Sequence, residues 1–379
     1  MKKSDVKKFV FASDSFKGSL TSGEIAELLT TAAKKQFPTC ECVPFWIADG
    51  GEGTLEAILS QKEGKIVYVT VENPLGEKIE ARYGVFEDTA IICMSEASGL
   101  PLIRAGQRNA RLTSTYGTGE LMRHAIESGY KKLYVTLGGS ATNDGGTGAL
   151  SALGYRFLDK DGLPLKGRGE DLINIAMIDG SSAVDFSGIE TTLLCDVSNP
   201  LLGETGATYT YGRQKGASDS DLAFLERGME NFARAAREYC GVSLDVSGGG
   251  AAGGIGGALY AFCGAKMQSG IDAVLTIGGF DELVKDATLV VTGEGRVDFQ
   301  SANGKAIDGI LARANKFSVP VVAIAGSVGE GADKLYEKGL TAVYSIINKP
   351  MPLEDALKNA KELYLATAQN VFRTLKVFL

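Results

Sequence analysis

One arrangement recurs along this chain and restricts its fold more than any other. A short, continuously apolar run ends abruptly in a loop of glycine, acids and small hydroxyl residues. KKFVFA runs into SDSFKGSLTS (13–22), VPFWIA into DGGEGT (49–54) and AIICM into SEASGL (95–100). KLYVTL runs into GGSATNDGG, TTLLC into DVSNPLLG (196–203), ATLVVT into GEGRVDFQSANGK (293–305) and PVVAIA into GSVG (326–329). Helical patterns such as SGEIAELLTTAAKKQF and GTLEAILSQ follow many of these loops. Strands alternating with helices predict an α/β fold with a parallel sheet. Apolar runs without a polar alternation are those of strands buried on both faces.

At 379 residues the chain is too long for one ordinary core and suits two domains. It carries 44% hydrophobic and 22% charged residues, an ordinary soluble balance. A net charge of −7 argues against a nucleic-acid or anionic-membrane partner. Any anionic ligand must therefore be held by local lysines, arginines and backbone N–H groups. The N-terminus has no apolar run of signal-peptide length. Residues 246–265 lack charge but consist mostly of Gly and Ala, which reads as a packed loop and helix. The expected location is the cytoplasm. The six cysteines contain no CxxC pair, so zinc is not indicated. The single histidine, His124, lies in the helical pattern GELMRHAIESG. Multi-histidine metal sites are excluded, and a general base is expected among Asp, Glu or Lys.

Ligands of parallel sheets bind at the carboxyl ends of the strands. That rule gathers Asp14, Lys17, Asp49, Glu52, Asp144, Asp196, Glu294, Arg296 and Asp298. Acids, bare glycine backbone and hydroxyls together suit a polyanion with a divalent cation: N–H groups cradle phosphate and carboxylates hold Mg²⁺. Plainer readings compete. Thr21 or Ser22 can simply cap a helix, the DGGEG acids can sit at a helix N-terminus, and DVSNP can be an Asx turn stopped by Pro200. A Walker A motif is absent; Gly162 to Gly167 is followed by Arg168. A GxGxxG occurs at Gly248, Gly250 and Gly253, but the strand it requires before it is short at best.

DSFKGSLTS, ADGGEGT, SEASGL, TSTYGTGEL, LGGSATNDGG, LCDVSNPLLG, QKGAS, GGGAAGG and VVTGEGRVDFQSANGK together resemble the bacterial glycerate kinases of type 1. The resemblance runs in order from about Phe9 to about Lys349. It implies an ATP- and Mg²⁺-dependent kinase acting on D-glycerate, mostly at the 2-hydroxyl in bacteria. It also implies two α/β domains with the active site in the cleft: a Rossmann-like parallel-sheet domain built from both chain ends (1–75 plus 285–379) and an inserted middle domain (76–284). The last thirty residues read as an ordinary helix without functional content.

Phosphoryl transfer needs positioning, charge neutralisation and a base near the attacking hydroxyl. On that basis Lys17, Gly18 and Ser19 are expected at phosphate, and Asp49 with Glu52 at Mg²⁺ or the substrate. Gly139, Ser140, Asn143 and Asp144 are expected at the nucleotide phosphates, with Asp144 also a metal ligand. Asp196 is the expected general base, with Asp49 and Asp298 as competitors for that role, in which case Asp196 would bind the metal. Glu294, Arg296 and Asp298 are expected at the glycerate carboxylate or the metal, with Arg296 as clamp. A 3-phosphoglycerate-forming kinase, an NAD-dependent oxidoreductase using the GxGxxG, and a non-catalytic metabolite sensor stay open, as does a homodimer.

Overall fold

The computed structural model describes residues 6–48, 50–51, 53–302 and 305–378. The chain divides into two compact units, one of residues 1–49 with 271–379 and one of residues 50–270. Both are α/β with parallel strands, and the first is assembled from both chain ends, as expected.

The end-built unit holds a five-stranded sheet in the order Leu340–Ser345, Val321–Ala325, Leu289–Gly293, Lys8–Ser13, Glu41–Pro44. Every pairing is parallel, with Val10 opposite Val290 and Val291 opposite Val322. LVVTG and VVAIA are buried at every position, which explains their unbroken apolar runs. Phe9, Phe11, Val291 and Ile324 share one core with helices Ser22–Gln36 and Ala360–Leu375. The first of these helices starts at a capping box: Thr21 accepts from Glu24 N, and the Glu24 carboxylate accepts from Thr21 N. Val10, Val290 and Ala323, on the opposite face, are equally buried. The C-terminal segment is broken at Asn359 into Leu353–Lys358 and Ala360–Leu375, rather than forming one helix.

The middle unit holds a six-stranded sheet in the order Lys266–Gln268, Glu190–Leu194, Lys132–Thr136, Thr89–Cys93, Lys78–Phe86, Lys65–Glu72. The first four strands run parallel; the last two add an antiparallel hairpin edge. This hairpin accounts for a shift in the division of the chain relative to the expected boundaries near residues 75 and 285. Lys65–Glu72 pairs along its whole length with Lys78–Phe86, which ties 65–72 to the middle unit. Residues 271–284 go with the end-built unit, where Phe280 meets Phe45 at a ring-centroid distance of 4.9 Å. No described helix is long and apolar enough to cross a membrane; the uncharged stretch 246–265 contains a single 3-10 turn, Ala251–Gly253, and the nine-residue α-helix Ile255–Cys263.

Candidate active site

In the end-built unit the strand order reverses between Lys8–Ser13 and Leu289–Gly293. The chain moves outward to Glu41–Pro44 on one side and to Val321–Ala325 and Leu340–Ser345 on the other. A crevice outside the carboxyl ends at such a reversal is the usual ligand site of an open parallel sheet. Here the two residues that follow the reversing strands are Asp14 and Glu294, and Asp14 N donates to Gly293 O at 2.9 Å. A cavity of about 730 Å³ opens at this point. Its lining includes Asp14, Lys17, Ser19, Glu294, Arg296 and Lys305.

Local geometry places each of these side chains. Phe16 is buried against Tyr364, and Leu20 N donates back to Phe16 O at 3.0 Å. Between them Lys17 and Gly18 form an exposed tip, with Gly18 at φ +80°, a conformation that favours glycine. The Ser19 hydroxyl donates to Phe16 O at 3.1 Å. Helix capping thus falls to Thr21 and leaves the Lys17–Gly18–Ser19 turn standing apart. Arg296 is 69% exposed and pairs through Nε with Asp298 Oδ2 at 3.1 Å. Asp298 is therefore the partner that orients Arg296. Lys305, which sequence reasoning did not name, bonds Gln300 Oε1 at 3.0 Å beside the same acids.

Burial pushes the Glu294 carboxyl above the usual range; a hydrogen bond from Ser301 and the charge of Lys305 oppose this, and Asp14 and Asp298 add to it. Its Oε1 is buried and has no hydrogen-bond partner. An orphaned carboxylate oxygen beside a second carboxylate fits a hard cation, because the ion would satisfy the oxygen and relieve the repulsion.

The middle unit brings together a second set of loops, again at the carboxyl ends of parallel strands. Asp196 follows Glu190–Leu194, is exposed, and accepts from Gly270 N through Oδ1 at 3.0 Å. Its loop is clamped: Asp245 Oδ1 accepts from Leu201 N at 2.8 Å, and Glu226 Oε1 from Gly203 N at 2.7 Å. Gly50 has φ +86°, and a Cβ there would lie 3.1 Å from Gly270 Cα and 3.5 Å from Asp196 Oδ2. A Cβ on Gly138 would lie 3.2 Å from Gly51 Cα. Three motifs far apart in sequence, at 50–51, 138–140 and 196, thus meet because their glycines let backbones approach closely. Asp49 and Glu52 lie outside the described residues.

Within 138–148 the named residues separate into two kinds. Gly139 is exposed at φ +74°, and Ser140 bridges to Gly99. Asn143 and Asp144 are wholly buried. Asp144 Oδ2 accepts from Thr115 N and Oγ1, both at 2.7 Å, and from Gly148 N at 3.2 Å, while Oδ1 accepts from Gly146 N at 3.2 Å. With both oxygens committed and no surface exposed, this carboxylate does not fit the expected role at a metal or phosphate; it organises the loop. Asn143 Nδ2 donates to Thr208 Oγ1 at 3.2 Å, while its buried Oδ1 has no hydrogen-bond partner.

Lys215, in the QKGAS segment, went unassigned. It is fully buried and donates to Thr142 O at 2.6 Å, next to Asp144. Burial lowers its ammonium to about 7, and the Asp144 charge resists that shift. His124 binds the Tyr83 hydroxyl at 2.8 Å. The GxGxxG glycines are occupied by packing: a Cβ on Gly250 would lie 2.1 Å from Pro200 O, and one on Gly253 2.0 Å from Thr142 O. No described strand precedes them, so the dinucleotide fingerprint lacks its structural context.

Known proteins share this chain from end to end. The model of the glycerate kinase family matches residues 9–376. A glycerate kinase of Haemophilus influenzae is 42% identical over 97% of this chain and 98% of its own. Glycerate 2-kinase of Escherichia coli is 38% identical over 98% of both chains. A crystal structure assigned as glycerate kinase 2 from Salmonella typhimurium LT2 superposes with a TM-score of 0.88 at 41% identity, covering 98% of this chain and 99% of that one. With matches of this length in sequence and structure, the chain belongs to the glycerate kinase family.

Proposed function

We propose that this enzyme transfers the γ-phosphoryl group of ATP to the 2-hydroxyl of D-glycerate, giving 2-phosphoglycerate and ADP. The observation that carries the reading is the group at the strand reversal: Asp14 and Glu294 beside Lys17, Arg296 and Lys305, all lining one cavity. Two acids among three cations suit a metal-bound polyphosphate better than a neutral metabolite. Choice of the 2-hydroxyl rests on the name of the Escherichia coli relative.

Lys17 and the Gly18–Ser19 turn would meet phosphate oxygens, and Arg296, oriented by Asp298, would take the glycerate carboxylate bidentately. Asp14 and Glu294 would hold Mg²⁺, which neutralises charge on the transferring phosphate when bound. Asp49 and Glu52 retain the proposed role at metal or substrate. Gly139 and Ser140 would offer backbone N–H groups to phosphate. Asp196, on its clamped loop, would accept the proton of the substrate hydroxyl. The same reading favours a cytoplasmic enzyme and leaves a homodimer open.

The test is a coupled assay. ADP release should require D-glycerate, ATP and Mg²⁺ together. Enolase alone should then convert the product to phosphoenolpyruvate. A requirement for added phosphoglycerate mutase would make this a 3-kinase, and glycerate-independent ADP release would remove the reading.

A further inference from the structure

The cavity beside Asp14 and Glu294 has an apolar part of its lining that glycerate cannot use. Besides the charged groups it is lined by Ile346, Ile347, Met351, Leu353 and Leu357, from the segment between the last strand and the final helix. No side chain of that wall carries a hydrogen-bonding group. Leu353 is 74% exposed and Leu357 40% exposed, one helical turn apart, so apolar surface stands uncovered beside a charged site. Glycerate bears an oxygen on each of its three carbons and has no apolar face to cover it. The volume of about 730 Å³ is also that of a site for a much larger ligand. A molecule with an anionic tail and a flat apolar head matches both parts of this lining at once.

We propose that this wall is the nucleobase subsite: the purine ring of ATP lies on Leu353, Leu357, Met351 and Ile347, with its phosphates toward Lys17 and Lys305. The assignment rests on the kinase reading above. It adds a specificity. Side chains without donors or acceptors read the face of a ring and not its edge, so the site distinguishes ring size more than ring substituents. ATP, GTP and ITP should serve with kcat/KM values within about tenfold of one another, and the smaller pyrimidine rings of CTP and UTP should serve less well.

Equilibrium binding tests the subsite without relying on turnover. ADP and inorganic tripolyphosphate are titrated calorimetrically into wild type and into a neutral Leu353→Ser/Leu357→Ser variant, whose exposed positions should leave the thermal midpoint unchanged. The proposal expects the ADP Kd to rise by about tenfold or more, because apolar contact is lost without any change of charge, while tripolyphosphate binds as before. In the assay the KM for ATP should rise and that for glycerate should stay. An unchanged ADP Kd, an equal loss for tripolyphosphate, or a rise confined to the glycerate KM would each overturn it. A strong preference for ATP over GTP would overturn the face-reading specificity. Failure of the kinase reading shows separately, as wild type that makes no ADP from glycerate.

Discussion

Replacing Asp144 by Asn separates the structure's account of this residue from the role its motif suggested. The carboxylate receives four hydrogen bonds inside the middle unit, three on Oδ2 and one on Oδ1. An amide would place its oxygen where Oδ2 lies, keeping the Thr115 and Gly148 donors. Its NH₂ would then face Gly146 N–H, donor against donor. Leaving that buried donor unpaired costs about 1–3 kcal/mol, and the three retained bonds each weaken by roughly 1 kcal/mol when they lose their charge. Two terms act on the other side. Burial pushes the Asp144 carboxyl up, so removing the charge recovers some desolvation energy. Lys215, however, loses its compensating neighbour. The net expectation is a loss of about 2–4 kcal/mol, or roughly 5–15 °C in the unfolding midpoint for a unit of this size. Calorimetry of the full chain, with and without Mg²⁺, measures it. A midpoint within about 2 °C of wild type, together with a strongly raised Mg²⁺ requirement, would refute the reasoning and return Asp144 to the metal.

Lys17→Ala removes an ammonium at an exposed turn tip and should lower kcat by about two orders of magnitude with folding intact; near-normal turnover would show that the turn has no phosphate role. Asp196→Asn should preserve ADP and glycerate affinity but cut kcat by roughly 10²–10⁴, with partial recovery at basic pH; recovery on raising Mg²⁺ instead would mark Asp196 as a metal ligand. Lys215 has a folded value near 7 against an ordinary 10.5, so between these limits the unfolded chain binds more protons and this group's contribution to stability rises with pH. Wild type should therefore gain thermal stability relative to Lys215→Met between about pH 6.5 and 9, and parallel curves would contradict the buried-ammonium account.

Much of this molecule was legible in local sequence. Short, β-branched apolar runs such as LVVTG and VVAIA, closed by glycine loops, read as strands covered on both faces, and the acids and glycines that follow them fall at strand ends by chain order alone. That was enough for the α/β class and for the candidacy of Lys17, Glu294 and Arg296; the unit built from both chain ends was implied only by the family resemblance. Other features depend on what each segment packs against. The distance along the chain from Asp14 to Glu294 gives no sign that they flank one crevice; adjacency of Lys8–Ser13 and Leu289–Gly293 in the sheet decides it. Asp144 and Asp196 look alike as acids after apolar strands, yet one is sealed by Thr115, Gly146 and Gly148 and the other is exposed, because burial belongs to the surroundings and not to the residue. The C-terminal segment reads as an ordinary amphipathic helix. Only its break at Asn359 and its packing turn Leu353 and Leu357 toward the cavity, since the direction of an apolar face has meaning only against a partner that the linear sequence does not specify.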